Sequence, residues 1–412
     1  MNALKSLRNA HRTRLELWAD GLAAAVVVSL PWSTTATGIL IVLWLLALLP
    51  TLDVASVKRE LRTPAGGLPV ALWGLAVLGM LWADVDWAAR LDGLKSFYRL
   101  LLIPPLIAQF RRSPNVHWLL YGFLASCAAL LVASVIHAAA PDWPANRPTP
   151  GVPVKDYISQ TTWFTLAVFG MLYFAFDPAQ PKPRRLLWAL IAAAFLADIV
   201  FVASSRTTYV VLPLLALLFG FWRLGLRGLA GAALAAMLVI GAAWLSSGYM
   251  RDRITNILAE VRIDRFDPQR SSSGDRIEFW QKSIGFIAEA PAAGHGTGSI
   301  KPLFARAAQG QTGAASLPSH NPHQQTLAIA IQLGLLGTAL LWAMWLTHLW
   351  LFRSGDYVAW FGMAVVTQNI IGSLFNTHLF DFSQGWIYVF GVGALGGAVL
   401  KRRSEPSPPA TR

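Results

Sequence analysis

A single arginine interrupts a long apolar stretch, in the tetrapeptide Ser-Ser-Arg-Thr at 204–207. A charge between two apolar runs is costly and usually faces a cavity or a binding partner. Arg206, together with the neighbouring hydroxyl of Ser205, would therefore be placed to bind an anionic group. The alternative is an arginine whose head group only reaches out to an aqueous interface.

Two histidines, His320 and His323, bracket the dipeptide Asn321-Pro322. The imidazole pKa lies near neutrality, so histidine suits the role of general base at cellular pH. Either histidine could instead be an ordinary hydrogen-bonded residue. If His323 is the base, His320 and Asn321 would orient a substrate or shape the loop. Asp381 is a weaker candidate for a residue that orients the histidine.

An arginine cluster lies between these two segments, with five acids interleaved. Its members are Arg251, Arg253, Arg262, Arg265, Arg270 and Arg276. Most are expected to form ion pairs on a solvated surface, but one or two could clamp a phosphate with the planar guanidinium. The glycine-rich run at 294–299, which contains Gly296, could offer backbone N–H groups to an anion.

Metal and cofactor motifs are missing from the sequence. It has no His-Glu-x-x-His element, no paired cysteines, no Walker-type loop and no Gly-x-Ser-x-Gly elbow. We therefore predict chemistry without a metal ion or cofactor, on a substrate that is already in a membrane.

The composition indicates a membrane protein. Of 412 residues, 55% are hydrophobic and 13% are charged, roughly half the charged share of soluble domains. A soluble chain of this size could not bury so much apolar surface, disorder is excluded, and the lone Cys127 excludes a disulfide-stabilised secreted domain. The net charge of +13 leaves nucleic-acid binding open at this point.

We predict twelve membrane-spanning helices, each approaching the roughly 20 apolar residues that a bilayer requires. They lie near 18–33, 36–52, 68–83, 94–110, 117–139, 159–176, 186–203, 206–222, 226–246, 323–351, 357–376 and 384–400. The segment 94–110 is the weakest, because it contains two basic residues and a proline pair. The first segment is expected to be an anchor and not a cleaved signal, since no small-residue cleavage site follows it.

The basic residues orient these spans. With both termini cytoplasmic, 19 of the 34 Lys and Arg residues and 7 of the 21 acids lie inside, which gives the inner side +12 of the net +13. Positive charge of this kind retains loops in the cytoplasm. The nucleic-acid interpretation thereby loses most of its support.

The predicted organisation has four parts. Residues 1–246 hold helices 1–9, residues 247–322 form a large outer loop, residues 323–400 hold helices 10–12, and residues 401–412 form a cytoplasmic tail. Apolar residues recur at helical spacing over 251–262 and 275–289, which predicts two amphipathic helices within the loop. Loops of this length are usually functional.

Three stretches between about 200 and 340 resemble the O-antigen ligase and polymerase family of bacterial envelope proteins. The tetrapeptide at 204–207 is similar to the family's Ser-Arg element at the end of a span. A second element, Arg-x-x-x-Trp…Pro…Gly-x-Gly, is matched by Arg276, Trp280, Pro291 and the glycines at 294, 296 and 298.

The third element is His-Asn-x-x-Leu followed by a Gly-Leu-Leu-Gly motif. It is matched by His323, Leu327 and the run at 332–337, with Gln324 where Asn is usual. This spacing favours His323 over His320, although His320-Asn321 is itself a His-Asn pair and leaves the register open.

The resemblance implies an all-α polytopic glycosyltransferase of the GT-C-like type in the bacterial inner membrane, with its active site on the periplasmic side. Such an O-antigen ligase moves a polysaccharide from undecaprenyl diphosphate to a sugar hydroxyl of lipid A–core in lipopolysaccharide biosynthesis. His323 would be the general base of a metal-independent, inverting displacement. Arg206 and Arg276 would stabilise the leaving diphosphate, with the substrate-binding candidates Arg265, Arg262, His320, Asn321, Ser205 and Gly296 around them.

Other functions stay open from the sequence. An O-antigen polymerase or a protein O-glycan ligase would use the same donor with another acceptor. A transporter or flippase of lipid-linked or anionic solutes is an alternative of another class, but no internal repeat supports it.

Overall fold

The computed structural model describes residues 2–142, 149–203, 205–246, 255, 272–312 and 316–405. These residues form helices and connecting turns, with no β-strand among them. The all-α fold class is therefore confirmed for the described part of the chain. The predicted helix over 251–262 lies outside it, except for Thr255.

Among the described residues, ten α-helices precede the large loop. They are α1 (Asn2–Ser29), α2 (Thr34–Leu48), α3 (Val54–Leu61), α4 (Pro64–Gly79), α5 (Trp87–Lys95), α6 (Ile103–Phe110), α7 (Val116–Ala139), α8 (Tyr157–Ala175), α9 (Lys182–Phe201) and α10 (Arg206–Ser246). Short polar residues begin several of them. The Ser33 hydroxyl accepts from an α2 amide, and the carboxylates of Asp86 and Asp156 do the same for α5 and α8.

The remaining helices follow within and after the loop. They are α11 (Ser272–Glu289), α12 (Ile300–Ala308), α13 (Gln325–Leu351), α14 (Tyr357–Gly372), α15 (Phe382–Phe390) and α16 (Gly396–Ser404), and a π-helical turn (Gly391–Leu395) joins the last two. The amphipathic helix predicted over 275–289 corresponds to α11. Its apolar face, with Phe279 and Phe286, packs against Phe304 and Ile331.

Glycine breaks two of the long helices. Gly225 in α10 has φ 62° and ψ −144°, and Gly334 in α13 has φ 60° and ψ −156°. Non-glycine residues rarely adopt this backbone conformation. The break at Gly225 separates the predicted spans 206–222 and 226–246.

All twelve predicted spans coincide with helical segments, but fewer meet a criterion for crossing a bilayer. Among the described residues, five helices are long and apolar enough, and six if the pair α3–α4, bent by 82°, counts as one span. The weak segment 94–110 is broken into the end of α5, a 3₁₀ turn (Tyr98–Leu102) and α6. The architecture fits a polytopic membrane protein, while twelve spans and a GT-C-like fold stay predictions.

Most of the helices share one large apolar core, α11 and α12 pack in a smaller second cluster, and many outer faces are apolar as well. Trp44, Trp163 and Trp386 are fully buried at the centre. Other large apolar side chains, such as Leu190 and Trp350, are exposed on the outside. Exposed apolar faces of this kind fit contact with lipid.

Candidate active site

His323 stands out by its backbone, because it is the one non-glycine residue with positive φ (53°) in the part of the chain that the structure describes. This left-handed conformation costs an ordinary residue about 1–2 kcal/mol. The Asn321 side-chain oxygen accepts the His323 backbone N–H at 2.8 Å and thereby stabilises the turn. Strain held in this way is typical of functional residues. Asn321 thus shapes the loop, one of the two roles expected for it.

The imidazole of His323 belongs to a relay of three side chains. Its Nδ1 lies 3.1 Å from Asn376 Oδ1, and Asn376 Nδ2 donates to Asp381 Oδ2 at 2.9 Å. An amide oxygen can only accept, so Nδ1 carries the proton and Nε2 holds the basic lone pair. Asp381 therefore reaches the histidine through Asn376 and not directly.

Asp381 lies just before α15 and is held in place through its main-chain carbonyl oxygen. It precedes the first residue of α15, yet its carboxylate caps no amide of that helix and is available to Asn376. The guanidinium of Arg99 donates to the Asp381 carbonyl oxygen. Burial raises the pKa of Asp381 to about 7, against the lowering effect of Arg99, and the negative charge of Asp156 raises it further.

The surroundings of His323 favour the neutral imidazole. Burial lowers its pKa, the bond with Asn376 opposes that shift, and the positive charge of Arg276 adds to it, as does His320. The ring also stacks on Phe279, with centroids 6.2 Å apart and planes 22° apart. A histidine that is neutral near pH 7 has the protonation state that a general base needs.

Arg206 and Arg276 interact electrostatically from two helices. Arg206 is the first residue of α10, and Arg276 lies one turn into α11. Burial lowers the pKa of Arg276, and the positive charge of Arg206 lowers it further. Because like charges repel, the pair suits an anion with more than one negative charge. Arg276 also lowers the pKa of His323, so the three residues that the sequence selected as catalytic lie in one electrostatic neighbourhood, and their catalytic roles stay predictions.

Ser205 supports Arg206 from within the fold. It is buried, its hydroxyl accepts the Thr208 backbone N–H at 3.2 Å, and it bonds the hydroxyls of Thr161 and Thr208 at 3.1 and 2.7 Å. These contacts fix the start of α10. They give Ser205 a positioning role, and its contact with a substrate stays a prediction.

The glycine-rich run at 294–299 packs against other helices. The Gly296 N–H donates to the Gln332 carbonyl at 2.9 Å, and the Gly298 N–H donates to the Gln332 side chain at 2.9 Å. A Cβ atom on Gly296 would lie 2.5 Å from Ala83. Gly296 therefore has a packing role, and its contact with a substrate stays a prediction. The sequence could not show that α4 and the break in α13 use these amides.

Other predicted site residues fall elsewhere. His320 is exposed and lies near His323, whose pKa it lowers. Arg262 and Arg265, like Ser204, are outside the described residues.

Sequence reasoning missed several residues around the relay. Asn376 completes it, and the buried His378 lies near Arg276, whose positive charge helps burial lower the His378 pKa to about 4. Lys155 also has a pKa lowered by burial, to about 8, and its ammonium donates to Ser383 at 3.4 Å. Asn376 and His378 could have been selected from the sequence, because the polar tripeptide 376–378 lies between two apolar helices.

A polar cleft with a volume of about 850 Å³ opens beside the relay. It runs between α5, α12 and the two loops that carry His320 and Asp381. Its polar lining consists of Asp86, Asp92, Lys95, Ser96, Lys301, His320, Asn321, Gln332, Thr377 and Asp381. Side chains that donate and accept hydrogen bonds on all sides suit a hydroxyl-rich ligand.

No group of three or more His, Cys, Asp or Glu side chains in the described ranges is placed to hold a metal ion.

The comparisons with known proteins bear on residues around this site. No curated protein matches the chain. A family model described as O-antigen ligase matches residues 191–342. That range is less than half of the chain, but it contains Arg206, Arg276 and His323. The match confirms the resemblance found in the sequence: residues 191–342 are similar to the O-antigen ligase family.

Proposed function

We propose that this protein is an O-antigen ligase that transfers a glycan from undecaprenyl diphosphate to a sugar hydroxyl of lipid A–core. The observation that carries the proposal is the bond between the His323 Nδ1–H and Asn376, which leaves Nε2 as a base in a region where the positive charges of Arg276 and Arg206 act. The family match supports an O-antigen glycan as the transferred group. The two arginines would hold the diphosphate, and the histidine would take the proton.

The arginine pair would bind the donor diphosphate. Two partly desolvated guanidinium groups stabilise charge more strongly than they would in water, and they are in place before the reaction begins. The first turns of α10 and α11 add backbone N–H groups whose dipoles favour an anion. Undecaprenyl diphosphate is already an activated donor, so the transfer needs no nucleotide.

His323 would remove the proton of the acceptor hydroxyl through Nε2. The hydroxyl oxygen attacks the anomeric carbon, the bond from that carbon to the diphosphate oxygen breaks, and the electron pair leaves on the diphosphate. One displacement inverts the anomeric configuration. The imidazolium that forms is stabilised by Asn376 and, through it, by ionised Asp381.

The polar cleft would hold acceptor sugars. It is lined by Asn321 and Asp381, both of which belong to the bonding around His323, although His323 itself is not part of the lining. Its carboxylates and amides can bond to the hydroxyls of an outer-membrane core glycan, and its lysines can pair with the acidic groups of that glycan.

A bacterium that carries the gene provides the test of donor and acceptor. In a deletion strain, plasmid copies with His323→Ala or Arg206→Ala should yield no glycan on lipid A–core at normal protein levels. Full-length glycan should then accumulate on undecaprenyl diphosphate. The matched controls are His117→Ala and Arg306→Gln, which change exposed residues outside the site.

Two outcomes would contradict the proposal. Complete ladders from both variants would show that neither residue is needed. Single repeat units on the core of the deletion strain would instead show that a polymerase is missing.

A further inference from the structure

An apolar groove with a volume of about 410 Å³ runs between α8, α9 and the two halves of α10. Its walls are made of side chains such as Phe169, Leu196, Leu212, Phe219 and Ala236. The two halves of α10 turn back at Gly225 and approach closely where Gly220 faces Gly228, because a Cβ on either glycine would meet the backbone of the other. The close approach of the two halves of α10 therefore shapes the groove.

Two arginines, Arg223 and Arg227, line one end of this groove. The Arg223 guanidinium donates to the Phe176 carbonyl at 2.8 Å and lies 4.5 Å from the centre of the Tyr173 ring. Arg227 is exposed. No acid lines the groove, and neither arginine has an ion pair within 4.0 Å among the described residues. N–H groups of Arg223 and Arg227 therefore remain available to bind an anion at this end of the groove.

The arginine end of the groove is far from the candidate active site. From Arg206 to Arg223 the helix rises about 25 Å, close to the thickness of a bilayer core. From Arg227 to Ala236 the groove extends about 13 Å, which is roughly half of that thickness. The groove thus spans a single leaflet on the face opposite the active site.

We propose that this groove binds an anionic glycerophospholipid, with an acyl chain between the α10 halves and the phosphate at Arg223 and Arg227. The depth of the groove fits the acyl chain of a lipid in one leaflet. The positive charge of the two arginines favours an anionic head group over a zwitterionic one. Basic pockets between membrane helices recognise lipid head groups in this way. The inference does not depend on the proposed transferase activity.

Lipid retention by the purified full-length protein tests the proposal. After extensive detergent washing, lipids bound to the protein are extracted and quantified, and phosphatidylglycerol is titrated back against its thermal unfolding. The wild type should retain phosphatidylglycerol over phosphatidylethanolamine and be stabilised by it. The variant Arg223→Gln/Arg227→Gln should bind it roughly 30-fold more weakly, since each basic residue contributes on the order of 1 kcal/mol.

Two further variants locate the site. Ala236→Phe keeps both arginines but fills the groove, and it should also lose binding. Arg184→Gln changes an exposed arginine at the start of α9 that does not line the groove, and it should bind as the wild type does. If the double variant proves unstable without lipid, Arg227→Gln alone replaces it, because that side chain is exposed.

Several results would overturn the proposal. Wild-type affinity in the double variant or in Ala236→Phe would show that the arginines or the groove are not used. Equal binding of phosphatidylethanolamine would remove the charge argument. Retention of undecaprenyl phosphate in place of phosphatidylglycerol would identify a different lipid class.

Discussion

Asn376 would set the tautomer and the orientation of the His323 imidazole, although it would itself touch no substrate. Its Oδ1 accepts from Nδ1–H of the histidine, and its Nδ2 donates to Asp381. A relay of this type sets the tautomer and stabilises the charged imidazolium, as a carboxylate does in other bases oriented by an acid. Asn376 is therefore a positioning residue.

Replacement of Asn376 tests this positioning role. Asn376→Leu should lower kcat on the order of 100-fold, with little change in KM for the donor, because the base would lose its orientation while the arginines stay in place. Turnover of purified enzyme measures the effect. The control Thr347→Val changes a half-buried residue of α13 that lies outside both the relay and the cleft, and it should retain most activity. A fall in kcat that is equal in both variants would contradict the specific role of Asn376.

The pH dependence should reflect Asp381 more than His323. Burial raises the pKa of Asp381 to about 7, so its carboxylate is increasingly ionised as the pH rises through 7. The His323 pKa is lowered, so the imidazole is already neutral there. Activity should therefore increase as the pH rises through about 7 and then level off.

The variant Asp381→Asn separates the two groups. Its rate should be lower at high pH, and the remaining pH dependence should move to lower pH, where His323 titrates. An unchanged profile in this variant would contradict the assignment of the acid limb to Asp381.

At the scale of elements, the Gly-x-Gly run joins the outer loop to the membrane helices. Its amides bond to the broken region of α13 and to α4, where the Thr297 N–H donates to the Gly79 carbonyl. The loop thereby holds α11, which carries Arg276, against α13, which follows His323. Glycine is required because neighbouring backbone lies where a side chain would be.

Stability measurements distinguish packing from anion binding at this run. Gly296→Ala should destabilise the protein by about 1–3 kcal/mol, because its Cβ meets Ala83 and its φ is 88°. The thermal midpoint should fall, while KM for the donor stays unchanged in the folded protein. Gly285→Ala, in open space within α11, should be neutral or stabilising. A raised KM without loss of stability would favour the anion cradle.

The elements also show which features the sequence could predict. Apolar runs located the helical segments, because a chain in lipid must satisfy its own backbone hydrogen bonds. The family elements selected Arg206, Arg276 and His323. The role of Asn376 was hidden, since it depends on contacts with residues 53 positions earlier and five positions later. Gly296 was assigned to an anion because the partners of its loop are formed only in the tertiary structure.

At the scale of the whole molecule, the predicted topology places most of the positive charge and the candidate site on opposite sides of the membrane. The predicted inner side carries +12 of the net +13, so the outer arginines matter by position and not by number. The apolar bulk of the protein would hold Arg206 and His323 at the depth of a lipid-linked diphosphate. This arrangement requires an outer loop in the periplasm and both termini in the cytoplasm.

Labelling of single cysteines tests that topology. Cys127 is the only native cysteine and is fully buried, so a Cys127→Ser protein offers a low background. A cysteine at exposed Arg306 should react with a membrane-impermeant maleimide on intact spheroplasts, and one at exposed Ser404 should react only after lysis. The opposite pattern would invert the proposed orientation.

The central claim is that His323 and the arginine pair catalyse transfer of a lipid-linked glycan to lipid A–core without a metal ion. Purified protein in lipid nanodiscs, given undecaprenyl-diphosphate-linked glycan, lipid A–core and a chelator, tests it most directly. The wild type should form glycosylated lipid A–core, while His323→Ala should be slower by a factor on the order of 100 or more. A wild-type rate in His323→Ala, a requirement for added divalent cation, or lengthened glycan on undecaprenyl diphosphate would contradict the account.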